Sequence, residues 1–315
     1  VGCFLETARG APQEGVSIRF TELGKIEIRV GTESNGQGHE TTFKQIASTR
    51  LGVPIEDLEY IQADTERVAI GFGHGGARSM HMGAGTMALA IDSAIEKASR
   101  VAATLLQTDI EELSFDRGAF LTSKDQRSVS IIEVASAARN SDVMPSLGEN
   151  GIDTFYKREE APFTFPNGCH AAEVEIDPDT GSLKLVNYVM VDDYGTLVNP
   201  ALTEGQLHGG VVQGIGQALE EFVAFDPDSG QLLSGSLMDY TAPRAALFPF
   251  FKAHFQGVPT EANLLGVKGV GQAGCIAAPQ VITHAVLNAL QEYNIDHIQM
   301  PITSQSLWRS IQAAS

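Results

Sequence analysis

The most informative stretch of the sequence is VDDYGTLVNPALTEGQLHGGVVQGIGQALEE, residues 191–221. It follows two alternating segments, Ala172–Ile176 and Leu183–Met190, which flank the turn-forming run DPDTG and so predict a β-hairpin. After the hairpin comes a loop with an Asn-Pro pair, and then a helix predicted over Thr203–Phe222. A hairpin, a loop and a glycine-rich helix therefore follow one another in this half of the chain.

The first half of the chain shows the same order of elements. Val16–Phe20 and Ile26–Val30 alternate apolar with polar or small residues, which predicts a second hairpin. The loop GTESNGQGHE follows, and Thr41–Leu51 carries apolar residues at helical spacing. Two halves with one order of elements indicate an internal structural duplication. They favour an α+β or mixed α/β class with two lobes built from hairpin-loop-helix units.

The remaining elements are predicted from the same periodicities. They are a strand at the start of the chain, a strand over 58–62, a helix over 83–106, a hairpin over 113–121, a helix over 131–138, further strand after the turn DPDSG at 226–230, and a last long helix over 279–292. Residues 141–168 are rich in Asn, Pro and Gly and are predicted to be irregular. We place the boundary between the lobes in this region, which gives lobes over residues 1–145 and 146–315.

Charge and cysteine content narrow the choice of partners and compartment. With 21 basic and 39 acidic residues the net charge is -18, so nucleic acid and anionic membranes are not expected as partners. Solubility is the simpler explanation of that charge. The start of the chain lacks signal-peptide features and an initiator Met, so a fragment or a processed product is expected. The three cysteines are far apart in sequence, so they imply neither a disulfide framework nor a metal cluster and fit the cytoplasm, or export after folding.

Three glycine-rich loops precede predicted helices, and a fourth lies at the start of one. They are Asn35–His39, Gly73–Ser79, Gly266–Gly274 and Glu204–Gln206. Glycine lets backbone N–H groups approach a ligand, and a helix N-terminus adds partial positive charge, so such loops bind anions such as phosphate. The alternative for any single loop is a tight turn or a helix cap. The sequence has neither a Walker loop nor a dinucleotide fingerprint, so the four loops together predict an unusual polyanionic ligand.

The side chains in these loops have simpler explanations as well. Gln37, Gln206 and Gln272 could hydrogen-bond the loop backbone, and Arg78 could be a surface cation. Three histidines lie near one another in sequence without forming a ligand pair on one helix, so solvated or core histidines are favoured over a metal site. These histidines are His39, His74 and His81.

At these loops the sequence resembles the large subunits of molybdenum hydroxylases, the family of xanthine dehydrogenase, aldehyde oxidase and carbon monoxide dehydrogenase. The stretch GTESNGQGHETTFKQIASTRLGVP resembles the family's GQG segment. Residues 191–221 resemble its segment with NP, GQ and QG-x-G, and GVKGVGQAGCIAAPQVITHAVLNAL resembles its K-G-x-G-E segment. The resemblance spans nearly the whole chain, and it is strongest to the bacterial carbon monoxide dehydrogenase-like and aldehyde oxidase-like enzymes.

The resemblance implies a molybdenum cofactor, molybdopterin, which in this family often occurs as its cytosine dinucleotide. It also implies that one loop lies near the metal's oxo ligand and the pterin, a second grips phosphate, Gln206 hydrogen-bonds the pterin, and a third loop passes beneath the metal. The implied cofactor-binding residues are Gly36, Gln37, Gly38 and His39 in the first loop, Gly75, Gly76, Ala77, Arg78 and Ser79 in the second, Gln206, and Gly269, Val270 and Gly271 in the third. The cofactor's own dithiolene holds the metal, so no protein side chain is expected as a metal ligand.

Two departures from the family pattern matter. The family's large subunit is over twice this length, and its amino-terminal part supplies another glycine loop and much of the substrate pocket. The family's general-base glutamate is replaced here by Gln272, in the run GVKGVGQAG. A carboxylate accepts a proton at ordinary pH and a neutral amide does not. Losing a general base typically lowers a rate by on the order of 10²–10⁴.

Two hypotheses about function follow. In the first, the chain is part of an oxidoreductase that hydroxylates an aldehyde, a heterocycle or a similar small carbon centre with water. Electrons would then pass to 2Fe–2S clusters and FAD on partner subunits or domains, because the chain has no cysteine set for a cluster. In the second, the chain is a molybdopterin-binding or assembly component without turnover, because Gln272 has replaced the base.

Overall fold

The computed structural model describes residues 1–140 and 151–314. In chain order the helices and strands are β1 (Gly2–Leu5), β2 (Glu14–Phe20), β3 (Ile26–Val30), α1 (His39–Leu51), β4 (Leu58–Ile61), α2 (Gly85–Leu106), β5 (Leu113–Asp116), β6 (Ala119–Thr122), β7 (Ser128–Ser130), α3 (Ile131–Ala138), β8 (Thr154–Arg158), β9 (Asn167–Ile176), β10 (Leu183–Asp193), α4 (Pro200–Leu219), β11 (Lys252–Phe255), α5 (Ala273–Ala289) and α6 (Ser304–Ala314). A π-helical segment, Ser79–Ala84, leads into α2. The chain is 36% helix and 22% strand, which confirms the mixed α+β class.

The chain forms two compact units. The first unit consists of Ala8–Thr164 and Pro259–Gly269, and its main sheet has the strand order β4-β3-β2-β8. β2 and β3 form an antiparallel hairpin, β4 runs parallel to β3, and β8 pairs antiparallel with β2. Helix α2 packs against β2, β8 and α3. Its buried face carries small and apolar residues at helical spacing, such as Met87, Ile91 and Ala94, so it forms the centre of this unit's core.

The second unit consists of Val1–Thr7, Phe165–Val258 and Val270–Ser315. Its sheet has the order β1-β9-β10-β11, with β9 and β10 as an antiparallel hairpin, β11 parallel to β10, and β1 antiparallel to β9. Helix α5 packs against α4 and β9. Val281, Ile282 and Val286 on α5 are fully buried in this unit's core.

The two units repeat one succession of elements. In the first it is β2-β3-α1-β4-α2, and in the second it is β9-β10-α4-β11-α5. In both sheets the hairpin is flanked on one side by a parallel strand that follows the first helix, and on the other by an antiparallel strand from outside the repeat. The predicted duplication of hairpin-loop-helix units is therefore confirmed. The lobe boundary predicted between residues 145 and 146 lies outside the described residues and stays a prediction, while the chain passes from the first unit to the second between Thr164 and Phe165.

Several predicted elements differ from the structure. Helix α4 begins at Pro200, because Asn199 caps it and proline fits the first helical turn, so Glu204–Gln206 lies inside the helix and not in a loop. Helix α5 begins at Ala273 and contains Pro279, which the prediction had placed at the helix start. The turn at 226–230 is flanked by an isolated bridge between Phe225 and Leu232, and the strand that follows it, β11, begins at Lys252.

Further elements were not predicted from the sequence, among them β7. The region predicted as irregular contains β8, and β9 begins inside it, while residues 141–150 lie outside the described part. Helix α6 follows the last predicted helix and buries Leu307 and Ile311. Within the described residues, no helix is long and apolar enough to cross a membrane.

Candidate functional site

The loop Gly73–Ser79 is held against two other segments of the first unit by contacts that only glycine permits. A Cβ atom on Gly10 would lie 2.2 Å from the Gly75 carbonyl oxygen, and one on Gly76 would lie 2.6 Å from the Gly10 Cα. A Cβ atom on Gly269 would lie 2.5 Å from the Ala77 carbonyl oxygen. Two of the glycine-rich stretches singled out in the sequence therefore meet in this unit, and residues near Gly10 join them.

Arg78 fixes this loop from the inside. Its guanidinium pairs with Glu14 at 2.9 Å, and both side chains are fully buried. It also donates to the carbonyl oxygen of Gly73 at 2.7 Å, and to those of Ala11 and Gln13. Burial raises the pKa of Glu14, and the charge of Arg78 opposes that effect. The interpretation of Arg78 as a surface cation is therefore wrong, because its side chain is fully buried.

The loops Asn35–His39 and Gly73–Ser79 are connected through the residues beside them. His74 Nδ1 lies 3.0 Å from the Glu33 carboxylate, just before the first loop. The buried hydroxyls of Thr32 and Ser79 are 2.8 Å apart. These contacts hold the start of α1 and the start of the π-helical segment side by side.

The loop before α1 leaves backbone donors open. Gly38 occupies the N-cap position with φ 78°, and no side chain caps the helix. The side-chain oxygen of Gln37 accepts from the Asn35 N–H at 2.7 Å. This is the hydrogen bond to the loop backbone that the sequence analysis gave as the simpler explanation of Gln37. Nothing lies within 4 Å of a Cβ atom built on Gly36 or Gly75. Within the described residues, the N–H groups of Gly36, Gly38 and Gly75 donate no hydrogen bond, so both loops present free donors to an anion.

Burial holds two of the histidines near these loops, His39 and His81, in the neutral form. Burial is the largest cause that lowers the pKa of His39 to about 4, and its Nδ1 has no hydrogen-bond partner. Burial likewise lowers the pKa of His81 to about 4. The amide of Asn263 donates to His81 Nδ1 at 3.0 Å, so His81 Nε2 carries the proton and donates to the Pro162 carbonyl oxygen at 2.8 Å. In the part of the chain that the structure describes, no group of three or more His, Cys, Asp or Glu side chains could hold a metal ion.

In the second unit the glycines of α4 divide between two faces. Gly205 and Gly209 face open space, and Gln206 between them is half-buried. Gly210 and Gly214 face α5, where a Cβ atom on Gly214 would lie 2.7 Å from the Ala278 Cβ. One face of α4 therefore allows the close approach of α5, and the other is free for a ligand.

Gln272 lies at the N-cap position of α5, where its side chain makes no capping hydrogen bond. The preceding Gly271 faces open space. The carboxyl of Glu6, directly after β1, is 5% exposed, and neither of its oxygens has an ordinary hydrogen-bond partner. Burial raises the pKa of Glu6, and the Gln272 amide opposes this effect through a contact looser than an ordinary hydrogen bond. Sequence reasoning missed Glu6, because nothing in the run FLETARG indicates a buried carboxyl.

A second set of polar side chains that was not predicted from the sequence lies in the core of the same unit. His170 Nδ1 is 2.9 Å from the Tyr188 hydroxyl, and its Nε2 is 3.1 Å from the Asp192 carboxylate. The Tyr194 hydroxyl donates to Asp192 at 2.8 Å. Burial, reinforced by the charge of Asp192, raises the pKa of both tyrosines, so they remain hydrogen-bond donors. The alternation of β10 places Tyr188 and Asp192 on one face, which is the only signal the sequence carries.

Comparisons with known proteins agree with this arrangement. The family model of the molybdopterin cofactor-binding domain matches residues 1–249. The carbon monoxide dehydrogenase large chain of Hydrogenophaga pseudoflava is 32% identical over 95% of this chain and 37% of its own length. The nicotine 6-hydroxylase large subunit of Paenarthrobacter nicotinovorans is 33% identical over 93% of this chain and 36% of its own length.

Among solved structures, quinoline 2-oxidoreductase from Pseudomonas putida 86 matches with a TM-score of 0.90 at 31% identity, over 99% of this chain and 41% of that one. The chain thus spans little more than a third of the curated relatives it matches, with 37% of the first and 36% of the second covered. The match to the family model extends over most of the chain, through both hairpins and the free donors before α1. We conclude that the chain belongs to the family of molybdopterin cofactor-binding domains, the family of the molybdenum hydroxylase large subunits.

Proposed function

We propose that the chain is part of a molybdenum hydroxylase, an oxidoreductase that hydroxylates an aldehyde, a heterocycle or a similar small carbon centre with water. The observation that carries this proposal is the set of free backbone donors at Gly36, Gly38 and Gly75, the last of them on the loop that the Arg78–Glu14 pair fixes. Such donors suit the phosphate and pterin oxygens of molybdopterin, alone or as its cytosine dinucleotide. FAD and 2Fe–2S clusters belong, in this proposal, to partner subunits, and the enzyme works in the cytoplasm.

The residues of this chain fit the cofactor through backbone groups and amides. The donors at Gly36–His39 and Gly75–Ser79 bind anionic oxygens, and Gln206 on α4 offers a half-buried side-chain amide. Gly271 faces open space, so a bulky ligand can lie close to its backbone, whereas Gly269 is packed against Ala77. When bound, the cofactor supplies a two-electron redox centre and a Lewis acid.

The anion sites can be tested without a loaded enzyme. Crystals of the chain grown in sulfate or phosphate should hold the ion at Gly36–His39 or Gly75–Ser79, within hydrogen-bond distance of backbone N–H groups. A matched control is the start of α4, where Asn199 already accepts the Leu202 N–H at 3.1 Å. Ions found only at α4, or loops whose amides are all paired internally, would contradict the proposal.

Proton transfer is the step in which we expect this chain to differ from the family. We place Gln272 in the base position, where its amide can orient a reacting group by hydrogen bonds but cannot take a proton. Glu6 is a carboxyl in contact with that amide, and a carboxyl whose pKa is raised by burial is better suited to accept and return a proton near neutral pH. Two outcomes follow: Glu6 serves as a base from a rearranged pocket, or hydroxylation is lost. We favour the loss or strong attenuation of hydroxylation.

The deciding experiment compares wild type with Gln272→Glu in the reconstituted complex, with aldehyde-dependent dye reduction as the assay. We expect the glutamate variant to be faster by on the order of 10²–10⁴. Gln280→Glu, on an exposed position of the same helix, is the matched control and should change nothing. If wild type is as fast as Gln272→Glu, Gln272 is not a lost base, and Glu6→Gln then tests the alternative base.

A second candidate function, molybdopterin binding or assembly without turnover, is favoured by the same substitution. It predicts that the complex contains molybdenum and pterin in stoichiometric amounts while aldehydes and heterocycles are not turned over. Elemental analysis and the dye assay on one preparation separate the two functions. Restoration of turnover by Gln272→Glu would then identify the missing carboxylate as the cause.

The partner that we propose first is the amino-terminal part of the large subunit, on the same or a separate chain. Within residues 222–250 of the second unit, large apolar side chains are exposed, including Leu237 at 83%, Met238 at 92% and Phe250 at 99%. Exposed apolar surface of this kind is typical of an interface. We therefore expect the isolated chain to fold without molybdenum, because the other part is needed to close the site. Stoichiometric molybdenum and pterin in the isolated chain would contradict this.

A further inference from the structure

Cys3 and Cys169 face each other across two antiparallel strands, although 166 residues separate them in sequence. Cys3 on β1 is the direct cross-strand partner of Cys169 on β9. The two Sγ atoms are 2.7 Å apart, and both thiols are free. Cys3 is exposed and Cys169 is half-buried, so solvent and small molecules reach the pair. The fold therefore brings together two cysteines that are far apart in sequence.

The strand pairing places the two thiols in the geometry that a disulfide needs. The Glu6 N–H donates to the Pro166 carbonyl oxygen at 2.9 Å, and the Ala8 N–H donates to the Thr164 carbonyl oxygen at 2.8 Å. Hydrogen-bonded pairs alternate along an antiparallel ladder, so Cys3 and Cys169 form a non-hydrogen-bonded pair. In such pairs the Cα atoms approach to about 4.5 Å and the side chains are closest, which lies within the range bridged by disulfides.

We propose that Cys3 and Cys169 form a dithiol modification site that is oxidised to a disulfide by a small-molecule disulfide of the glutathione type. The Cys3 thiolate attacks one sulfur of the small disulfide, forms a mixed disulfide and releases one small thiolate. The Cys169 thiolate then attacks the Cys3 sulfur, forms the Cys3–Cys169 bond and releases the second small thiolate. The protein loses two protons and two electrons, and the small disulfide is reduced to two thiols. Excess small thiol reverses both steps.

Cys3 reacts first because of its environment. It is the more exposed thiol, and the hydrogen bond between the two thiols raises the pKa of Cys169. The third cysteine, Cys275 on α5, is half-buried, and burial raises the pKa of its thiol, which disfavours reaction there. Once formed, the bond ties β1 to β9 and so restrains the strand that Glu6 follows. The site does not depend on the proposed hydroxylase function.

The test is to equilibrate the full chain with reduced and oxidised glutathione at graded ratios, quench it with acid, and count thiols after denaturation. We expect three free thiols under reducing conditions and one under oxidising conditions. Mass spectrometry of the digested, oxidised chain should detect the Cys3 and Cys169 peptides joined by a disulfide. The oxidised chain should melt about 5 °C or more above the reduced chain, because the cross-link closes a long loop. Cys275→Ser should undergo the same reaction and end with no free thiol.

The variants keep the proposal falsifiable. Cys3→Ser should leave Cys169 free or glutathionylated, and the rise in melting temperature should disappear. Three free thiols at every ratio would overturn the proposal, and so would a cross-link to Cys275 or a stable glutathione adduct on the wild-type Cys3. Circular dichroism of Cys3→Ser and Cys169→Ser, expected to match the reduced wild type, excludes loss of folding as the cause.

Discussion

The two units share one succession of elements, but they complete the start of their first helix in different ways. In the second unit Asn199 caps α4, and its side chain accepts the Leu202 N–H at 3.1 Å. In the first unit Gly38 stands at the same place before α1 and offers no side chain. A capped helix start is satisfied within the chain, while an uncapped one leaves donors for a ligand. The duplicated architecture thus separates a helix start that is closed from one that is open to an anion.

The units also differ in the polar groups they bury. The first unit buries a charged pair, Arg78 and Glu14, which fixes a loop. The second buries a hydrogen-bonded network around His170 on β9 and Asp192 on β10. An ion pair in a core is costly to break because a single charge is left behind, whereas a network with several donors can rearrange. We therefore expect the first unit to be the more sensitive to loss of one buried side chain.

The largest expected effect is that of Arg78→Met. It leaves the Glu14 carboxylate buried without its partner and should lower the free energy of unfolding of the first unit by about 3–5 kcal/mol. Hydrogen exchange of the backbone amides in α2, compared with those in α4, measures this separately for the two units. The double variant Glu14→Gln with Arg78→Met should be less unstable than Arg78→Met alone. Arg100→Met, which removes an exposed ion pair on α2, is the control and should have little effect. Equal losses in Arg78→Met and Arg100→Met would contradict the role of the buried pair.

A smaller effect should appear on acidification. The pKa of His39 and that of His81 are lowered to about 4 by burial, whereas in the unfolded chain both lie near 6.5. The unfolded state therefore binds more protons between these values, so stability is lost as the pH falls from about 6.5 to about 4, by up to about 3 kcal/mol for each histidine. The loss of stability is measured by urea unfolding at pH 7 and pH 5, with hydrogen exchange of the backbone amides as the readout for the first unit.

The carboxyl of Glu14 has the opposite effect on the pH dependence of stability. Because its pKa is raised in the folded chain, its contribution to stability is lost as the pH rises. The variant His81→Gln isolates the histidine contribution, since glutamine can both accept from Asn263 and donate to the Pro162 carbonyl without titrating. The pH dependence should be shallower in this variant. The same slope in wild type and His81→Gln would show that His81 does not titrate on unfolding.

The smallest effect concerns the caps themselves. Asn199→Ala removes the cap of α4 and should lower the stability of the second unit by about 1 kcal/mol, while Asn199→Gly should cost only a few tenths. In the first unit Gly38→Ala should also cost about 1–2 kcal/mol, but through the left-handed backbone at φ 78° and not through a lost cap. Gly38→Asn separates these causes, because asparagine tolerates that conformation better. A loss in Gly38→Asn equal to that in Gly38→Ala would show that backbone strain is not the reason.

The elements that the sequence predicted well are those whose signals are local. Helix α3 was predicted over its full length, Ile131–Ala138, and its capping box joins Ser130 and Glu133, three residues apart. The hairpins of both repeats were predicted from alternation and turn residues that lie within a few positions of each other. Errors occurred where a boundary depends on packing, as at Pro279, which α5 accommodates in its interior.

Local patterns in the sequence were enough to predict the succession of hairpins, loops and helices, and they carry the family resemblance. Which side chains are buried, and which of them meet, depends on how distant segments pack in the folded chain. Arg78 and Glu14 are 64 residues apart, and Cys3 and Cys169 are 166 apart, so no local pattern links them. Periodicity reports which face of an element is apolar, but not which element covers that face. The burial of Glu6 beside Gln272 depends on strand pairing between distant segments, and that pairing exists only in the folded chain.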